Sequence, residues 1–340
     1  MTLLAETSTR VATMGELSSF VVWIVLVTAV LALTVYVAAK VVEHRNPPIG
    51  KFLEIDGARL HYFESGSGLP IVFLHGNGTM LQDFLLSDAF ASAAKQNRAV
   101  AFDRPGFGYS TRPRARKWTA SEQADLIALA LRRLNFGPAA IVGHSWGTLV
   151  AVALAERHPA LIRSLVLLSG YYYPTPRFDA VLAVVGAMPV IGDILRYTLT
   201  PLAGLIMLPI NLRVMFSPCP VSERFGREFP RLMMLRPWQL RASLGDGAMM
   251  LNAAAALQPA YRGLQMPTFI AAGGSDRIVD HGQSNKLHEE AHASQLQIIP
   301  GVGHMVHHSA PDRVAAIVRT MSPSQGAPPH ERLRIGDGPR

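Results

Sequence analysis

An uninterrupted apolar run near the N-terminus constrains this chain more than any other feature. From Ser18 to Ala39 there is no charged residue, and Phe20–Ala39 is 20 residues of nearly pure hydrocarbon. As a helix rising about 1.5 Å per residue it covers about 30 Å, the thickness of a bilayer core. Trp23 and Tyr36 stand toward its two ends, where interfacial aromatics sit. A cleaved leader ending at Val37-x-Ala39 is the competing reading. Leader cores, however, run to about 7–15 residues behind a short basic stretch, and here 19 residues with Arg10 as their only basic side chain come first. The run predicts one transmembrane helix over 19–42, after an N-terminal flank at 1–18. Lys40, Arg45, Lys51 and Arg59 follow it, so the positive-inside rule places the rest of the chain in the cytoplasm.

That remainder has the composition of a folded body. Apolar residues are 49% and charged residues 16% of the 340, which excludes a disordered chain. One cysteine, Cys219, excludes an internal disulfide framework and a cysteine-based zinc cluster. The net charge of +8 suits an anionic membrane surface or nucleic acid. Its basic residues are dispersed and form no recognised binding module, so no nucleic-acid partner is expected.

After a stiff Asn46-Pro47-Pro48 linker, Lys51–Asp56 and Ala58–Glu64 alternate around Asp56-Gly57, a hairpin signal. Short apolar runs then alternate with helical stretches: Pro70–Leu74, Arg98–Phe102, Ala139–Val142, Ser164–Leu168, Thr268–Ala271 and Gln295–Ile299. Such strands predict an α/β class, a doubly wound, mostly parallel sheet covered by helices on both faces. Thr119-x-x-Glu122 is a capping box for a helix reaching Asn135, and Pro311 opens a last helix ending near Met321. The interval Tyr171–Gln265 is too long for a loop. It predicts a helical cap at 171–265 inserted into a core of 51–170 and 266–321, with a disordered tail at 322–340.

Gly143-His144-Ser145-Trp146-Gly147 is a G-x-S-x-G pentapeptide between an apolar strand and the helical run that starts at Thr148. That context fits a strained strand-turn-helix that exposes a nucleophilic serine. A serine hydroxyl needs a base, and the base an orienting carboxylate. Asp276 follows the strand at Thr268–Ala271, and His304 the strand at Gln295–Ile299; both fall at carboxyl ends of parallel strands, where such sheets place ligands.

With these residues in order, the chain resembles the α/β-hydrolase-fold enzymes from about Lys51 to Met321. The matching segments are His75-Gly76-Asn77-Gly78, Asp103-Arg104-Pro105-Gly106-Phe107-Gly108-Tyr109-Ser110, the pentapeptide, the Asp276 turn and Gly303-His304. The resemblance implies Ser145 as nucleophile, His304 as base then acid, Asp276 as its orienter, and an oxyanion hole from the backbone N–H groups of Asn77 and Trp146. The Trp146 N–H also suits this role independently, as the first amide of a helix. No metal or organic cofactor is implied. Dehalogenases and epoxide hydrolases with similar Asp103–Ser110-like segments carry aspartate at the elbow; serine here points to acyl transfer.

Neighbouring groups receive lesser roles. Asp280 is the alternative acid or a helix cap. His307 and His308 read as surface residues, and His75 and His144 as structural supports. Asp103 with Arg104 reads as an internal ion pair, and Arg112, Arg114, Arg116 and Lys117 as a solvated basic loop or a lipid-headgroup contact. In the cap, Pro189, Asp193, Arg196, Pro201 and Pro209 break apolar stretches into short helices. Met207, Met215, Met233 and Met234 line a hydrophobic pocket or pack the cap itself. The sequence reading is a single-pass membrane serine hydrolase that cleaves an ester of a hydrophobic substrate. Its alternatives are C–C bond or amide hydrolysis with the same triad, or a non-catalytic membrane scaffold.

Overall fold

The computed structural model describes residues 2–322, with side chains from Ser18 onward. The expected tail falls, apart from Ser322, outside the described residues. The chain starts with a 44-residue helix, α1 (Thr2–Arg45). Within its segment Ser18–Arg45, an 18-residue window has a mean hydropathy of 2.7, and only 6% of it is buried. The helix runs without interruption past Ala39 to Arg45.

Eight strands form one sheet: β1 (Lys51–Ile55), β2 (Ala58–Ser65), β3 (Leu69–Leu74), β4 (Asn97–Phe102), β5 (Ala139–His144), β6 (Ile162–Leu168), β7 (Thr268–Gly273) and β8 (Ser294–Ile299). Their order is β1-β2-β4-β3-β5-β6-β7-β8. β1 and β2 make the expected antiparallel hairpin, Ile55 pairing with Ala58 across Asp56 and Gly57, which both adopt positive φ. β2 joins β4 antiparallel, and every later pairing is parallel. From β3 the chain moves one way to β4 and returns on the other side to β5. The carboxyl ends of β3 and β5 therefore flank the switch point, where open α/β sheets bind ligands.

The apolar runs divide by the two-residue period of a strand. Val72, Leu74, Val100, Phe102, Ile141, Leu165 and Leu167 face one side, packing with the helices Ala120–Arg133 and Trp146–Arg157. Ile71, Phe73, Ala99, Ala101, Val142, Val166 and Leu168 face the other, against Asp88–Ala94 and Pro311–Met321. The Thr119 half of the capping box forms, Thr119 Oγ1 accepting from the Glu122 N–H at 3.2 Å, while the Glu122 carboxylate pairs with Arg116.

Between β6 and β7 lie the helices Phe178–Ala187, Ile191–Tyr197, Leu199–Phe216, Glu223–Glu228 and Pro237–Leu257. Expected breaks occur only in part. The chain turns at Met188–Val190, but Pro209 sits inside the 18-residue helix Leu199–Phe216 and does not end it. Asp193 and Arg196 pair with each other within one helix instead of interrupting it.

Candidate active site

The serine turn is built by backbone constraint. β5 ends at His144, Ser145 takes φ 51° and ψ −121°, and the helix begins at Trp146. A non-glycine residue in that conformation costs about 1–3 kcal/mol and persists only where the surroundings enforce it. Here the Ser145 N–H donates to Leu168 O at 2.8 Å. Close packing does the rest: a Cβ on Gly147 would lie 2.2 Å from Leu74 O.

His304 Nδ1 lies 2.7 Å from Asp276 Oδ2. A carboxylate only accepts, so Nδ1 carries the proton and Nε2 keeps the lone pair a base requires. The other carboxylate oxygen of Asp276 accepts from the N–H groups of Ile278, at 2.8 Å, and Val279, at 3.0 Å. Both oxygens are thus used and the carboxylate cannot rotate. Asp280 is exposed and caps the next helix through Gly282 N–H at 2.8 Å. Of the two candidate carboxylates, the structure brings Asp276 and not Asp280 to His304.

Ser145, His304, Asn77 and Trp146 all line one cavity of about 500 Å³. Its other walls are mainly apolar: Met207, Leu212, Met215 and Met234 from the inserted helices, and Val279 beside the Asp276 turn. Three of the four singled-out methionines thus face the cavity, while Met233 is buried within the inserted segment's own cluster. Arg177, the one arginine or lysine lining the cavity, is clamped by Asp179 at 2.9 and 2.7 Å and by Ile278 O at 2.9 Å.

Several neighbours sit differently from expectation. Asp103 and Arg104 do not pair. They follow one another out of β4 and point to opposite sides, as consecutive extended residues do. Asp103 binds His61 Nδ1 at 2.6 Å and the N–H groups of Leu81 and Tyr109. Arg104 donates to His75 O at 2.8 Å, to Gly76 O at 3.0 Å and to Asp246 Oδ2 at 2.7 Å. It therefore holds the loop that presents Asn77 and ties it to the helix Pro237–Leu257. The Arg112–Lys117 stretch is partly solvated, with Arg114 and Lys117 exposed, but its arginines are paired: Arg112 binds Asp246 at 2.8 Å, Arg114 binds Asp193 at 2.8 Å, and Arg116 pairs with Asp56 and Glu122.

His307 and His308 are buried, not superficial. Each places Nε2 at 2.9 Å from Asp83 Oδ1. These bonds hold the Asp83 carboxyl, despite its burial, well below the usual carboxylate range. His144 Nε2 lies 3.1 Å from His304 O and so acts as donor, which props the backbone of the catalytic candidate. Burial pushes His144 well below the ordinary histidine range and, helped by Arg104, brings His75 to about 4. The ligand-type atoms of Asp83, His144 and His307 lie within 4.8 Å of one another, the one such grouping among the described residues. Asp83 is already satisfied by hydrogen bonds there. Sequence reading missed Asp83 and Asp246, whose histidine and arginine partners lie more than 100 residues away.

A family description, alpha/beta hydrolase fold, matches residues 70–311. The chain is 29% identical over 284 residues to a 2-hydroxymuconate semialdehyde hydrolase of Pseudomonas sp. strain CF600, covering 80% of this chain and 93% of that one. It is also 29% identical over 274 residues to a 2-(acetamidomethylene)succinate hydrolase of Mesorhizobium japonicum, covering 78% and 91%. Among solved structures, a thermophilic esterase from Thermogutta terrifontis superposes with a TM-score of 0.64 at 21% identity, covering 79% and 97%. A meta-cleavage product hydrolase from Pseudomonas fluorescens gives 0.60 at 22%, covering 81% and 97%. Matched over most of its length, with the sheet order and the serine turn described above, the chain belongs to the α/β-hydrolase fold family.

Proposed function

We propose that this chain is a membrane-anchored serine hydrolase that breaks a C–C bond next to a carbonyl in a largely apolar substrate. The observation that carries the reading is the convergence of Ser145, the His304–Asp276 pair and the Asn77–Trp146 backbone in one apolar cavity. In this reading Ser145 Oγ attacks the carbonyl carbon while His304 Nε2 takes its proton. The N–H groups of Asn77 and Trp146 bind the developing oxyanion, each such donor contributing about 3–4 kcal/mol to barrier lowering. Collapse expels the carbon leaving group with its electron pair, and the His304 imidazolium returns the proton to it. Water activated by His304 then releases the acyl group from Ser145.

Of the relatives named above, the 2-hydroxymuconate semialdehyde hydrolase favours the C–C bond over the ester expected from sequence. Ester cleavage is retained as a second reading for one reason. Muconate and succinate derivatives carry carboxylates, whereas Arg177, the cation beside the cavity, is neutralised by Asp179. A neutral substrate meets no such conflict. A panel comparing a ring-fission dienoate, its neutral ester derivative and a p-nitrophenyl ester series decides between them. Higher kcat/KM for C–C cleavage supports the proposal; turnover of the p-nitrophenyl esters alone would transfer it to the second reading.

The anchor in this reading is Ser18–Arg45, with the catalytic body on the cytoplasmic side. Its end is integrated with that body: Glu43 pairs with buried Arg236 at 2.7 Å, Tyr109 donates to Glu43 O at 3.1 Å, and Lys40 lies 4.7 Å over the Trp238 ring. Cleavage after Ala39 would cut this helix away from the contacts that hold it.

A further inference from the structure

The exposed apolar side chains of the catalytic body are concentrated in one segment. Between Phe178 and Ile210, 33 residues, fifteen large apolar side chains are exposed, including Phe178 at 77% and Ile206 at 73%. Elsewhere from Lys51 to Ser322 only Phe52, Leu129 and Leu232 are. Monomeric soluble proteins rarely expose such contiguous surface without a partner. The segment is also free of unpaired charge. Its three ionic residues are Asp179, bound by Arg177, and Asp193 and Arg196, bound to each other, with Arg114 also on Asp193.

The segment's position relative to α1 identifies the partner. A cleft of about 280 Å³ is lined on one side by Leu31, Val35 and Ala38 of α1 and on the other by Leu202, Leu205 and Leu235. Leu31 lies nine residues before Lys40, about 13 Å along the helix axis. With Lys40 at the membrane surface, the α1 wall facing Leu202 and Leu205, from Ala38 to Leu31, lies about 3–13 Å deep, which includes the range of about 5–10 Å that interfacial helices reach. Leu199–Phe216 is itself apolar enough to be a span. Yet Leu208, Leu212 and Met215 on its inner side form part of the catalytic cavity wall, so it lies over the body and does not leave it.

We propose that the outer face of Phe178–Ile210 docks into the acyl region of the bilayer that holds α1, so that the cavity beneath Leu199–Phe216 takes its substrate from the membrane. This rests on the reading of Ser18–Arg45 as an anchor. The bilayer is the occupant favoured by continuity: the exposed apolar face adjoins a helix whose own surface is nearly all apolar and open.

The test uses the full chain in phosphatidylcholine vesicles with Cys219→Ser and single nitroxide labels at Val181→Cys, Ile206→Cys, Val30→Cys in α1 and Glu156→Cys on the far side of the core. Circular dichroism confirms that each variant is folded. The proposal expects the labels at 181 and 206 to match the one at 30, reached by oxygen and shielded several-fold from a water-soluble nickel chelate. If the label at 30 is shielded while those at 181 and 206 are as open to the chelate as the one at 156, the docking is wrong and the anchor stands. If the label at 30 is itself open, both fail. Spin–spin broadening at 206 that disappears on dilution with unlabelled protein would mean that a second copy covers the face, which also overturns the proposal. In a kinetic arm, the Val181→Lys, Ile206→Lys double variant should raise KM several-fold for a bilayer-dissolved substrate and leave a water-soluble short substrate unchanged. Equal effects on both, or none, would contradict delivery from the membrane.

Discussion

Ser145→Ala should lower kcat by roughly 10⁴- to 10⁶-fold while leaving substrate affinity within a few-fold of wild type. The size follows from the division of labour. Without the hydroxyl there is no acyl-enzyme, and what remains is the positioning of substrate and the donors at Asn77 and Trp146. His304→Ala should fall by a similar factor, because Ser145 alone is a weak nucleophile. Combining the two changes should cost little more than either, since the residues act as one unit. Steady-state kinetics on the three variants checks this. Additive losses would mean that serine and histidine do not share a step.

Stability should fall steeply as pH drops from 6.5 toward 4. His75 is fully buried, and burial, with the Arg104 charge adding to it and Asp103 and Asp83 opposing it, pushes its imidazole down to about 4. The unfolded chain binds that proton first, at about 6.5, so the contribution is complete above 6.5 and lost as pH falls through about 4. At about 1.4 kcal/mol per pH unit, the interval corresponds to about 3 kcal/mol. His144 acts in the same direction, and the low Asp83 carboxyl adds further loss at still lower pH. Tm measured in detergent micelles from pH 7.5 to 4 should therefore decline across that window. His75→Gln should be less stable at neutral pH but flatter by about one proton. A wild-type Tm unchanged between pH 6.5 and 4 would contradict this account of the buried histidines.

What could be read from sequence was whatever depends on near neighbours along the chain. The Asp56-Gly57 hairpin, the Thr119 cap and the strand-turn-helix around Ser145 are local, and their signals are local too. The parallel sheet followed from short apolar strands. Asp276 and His304 were legible because each lies just past a strand end, and the carboxyl ends of parallel strands share one edge of a sheet. Asp83, by contrast, is explained chiefly by His307 and His308, more than 220 residues on, and Asp246 by Arg104, Arg112 and Gln123, more than 120 residues before it. No pattern in the chain announces such pairs. Adjacency misled at Asp103-Arg104, where the extended backbone turns neighbours apart. Pro209 misled because tertiary packing of an apolar helix outweighs one missing backbone bond, a cost of about 3 kcal/mol.

The most direct test of the central claim is labelling of the full-length protein in membranes with a fluorophosphonate, followed by mass mapping of the modified peptide. A single adduct on Ser145, absent in Ser145→Ala and strongly reduced in His304→Ala, is the result predicted. A folded protein that takes no label, or carries it on another serine, would contradict the assignment of Ser145 as the activated nucleophile.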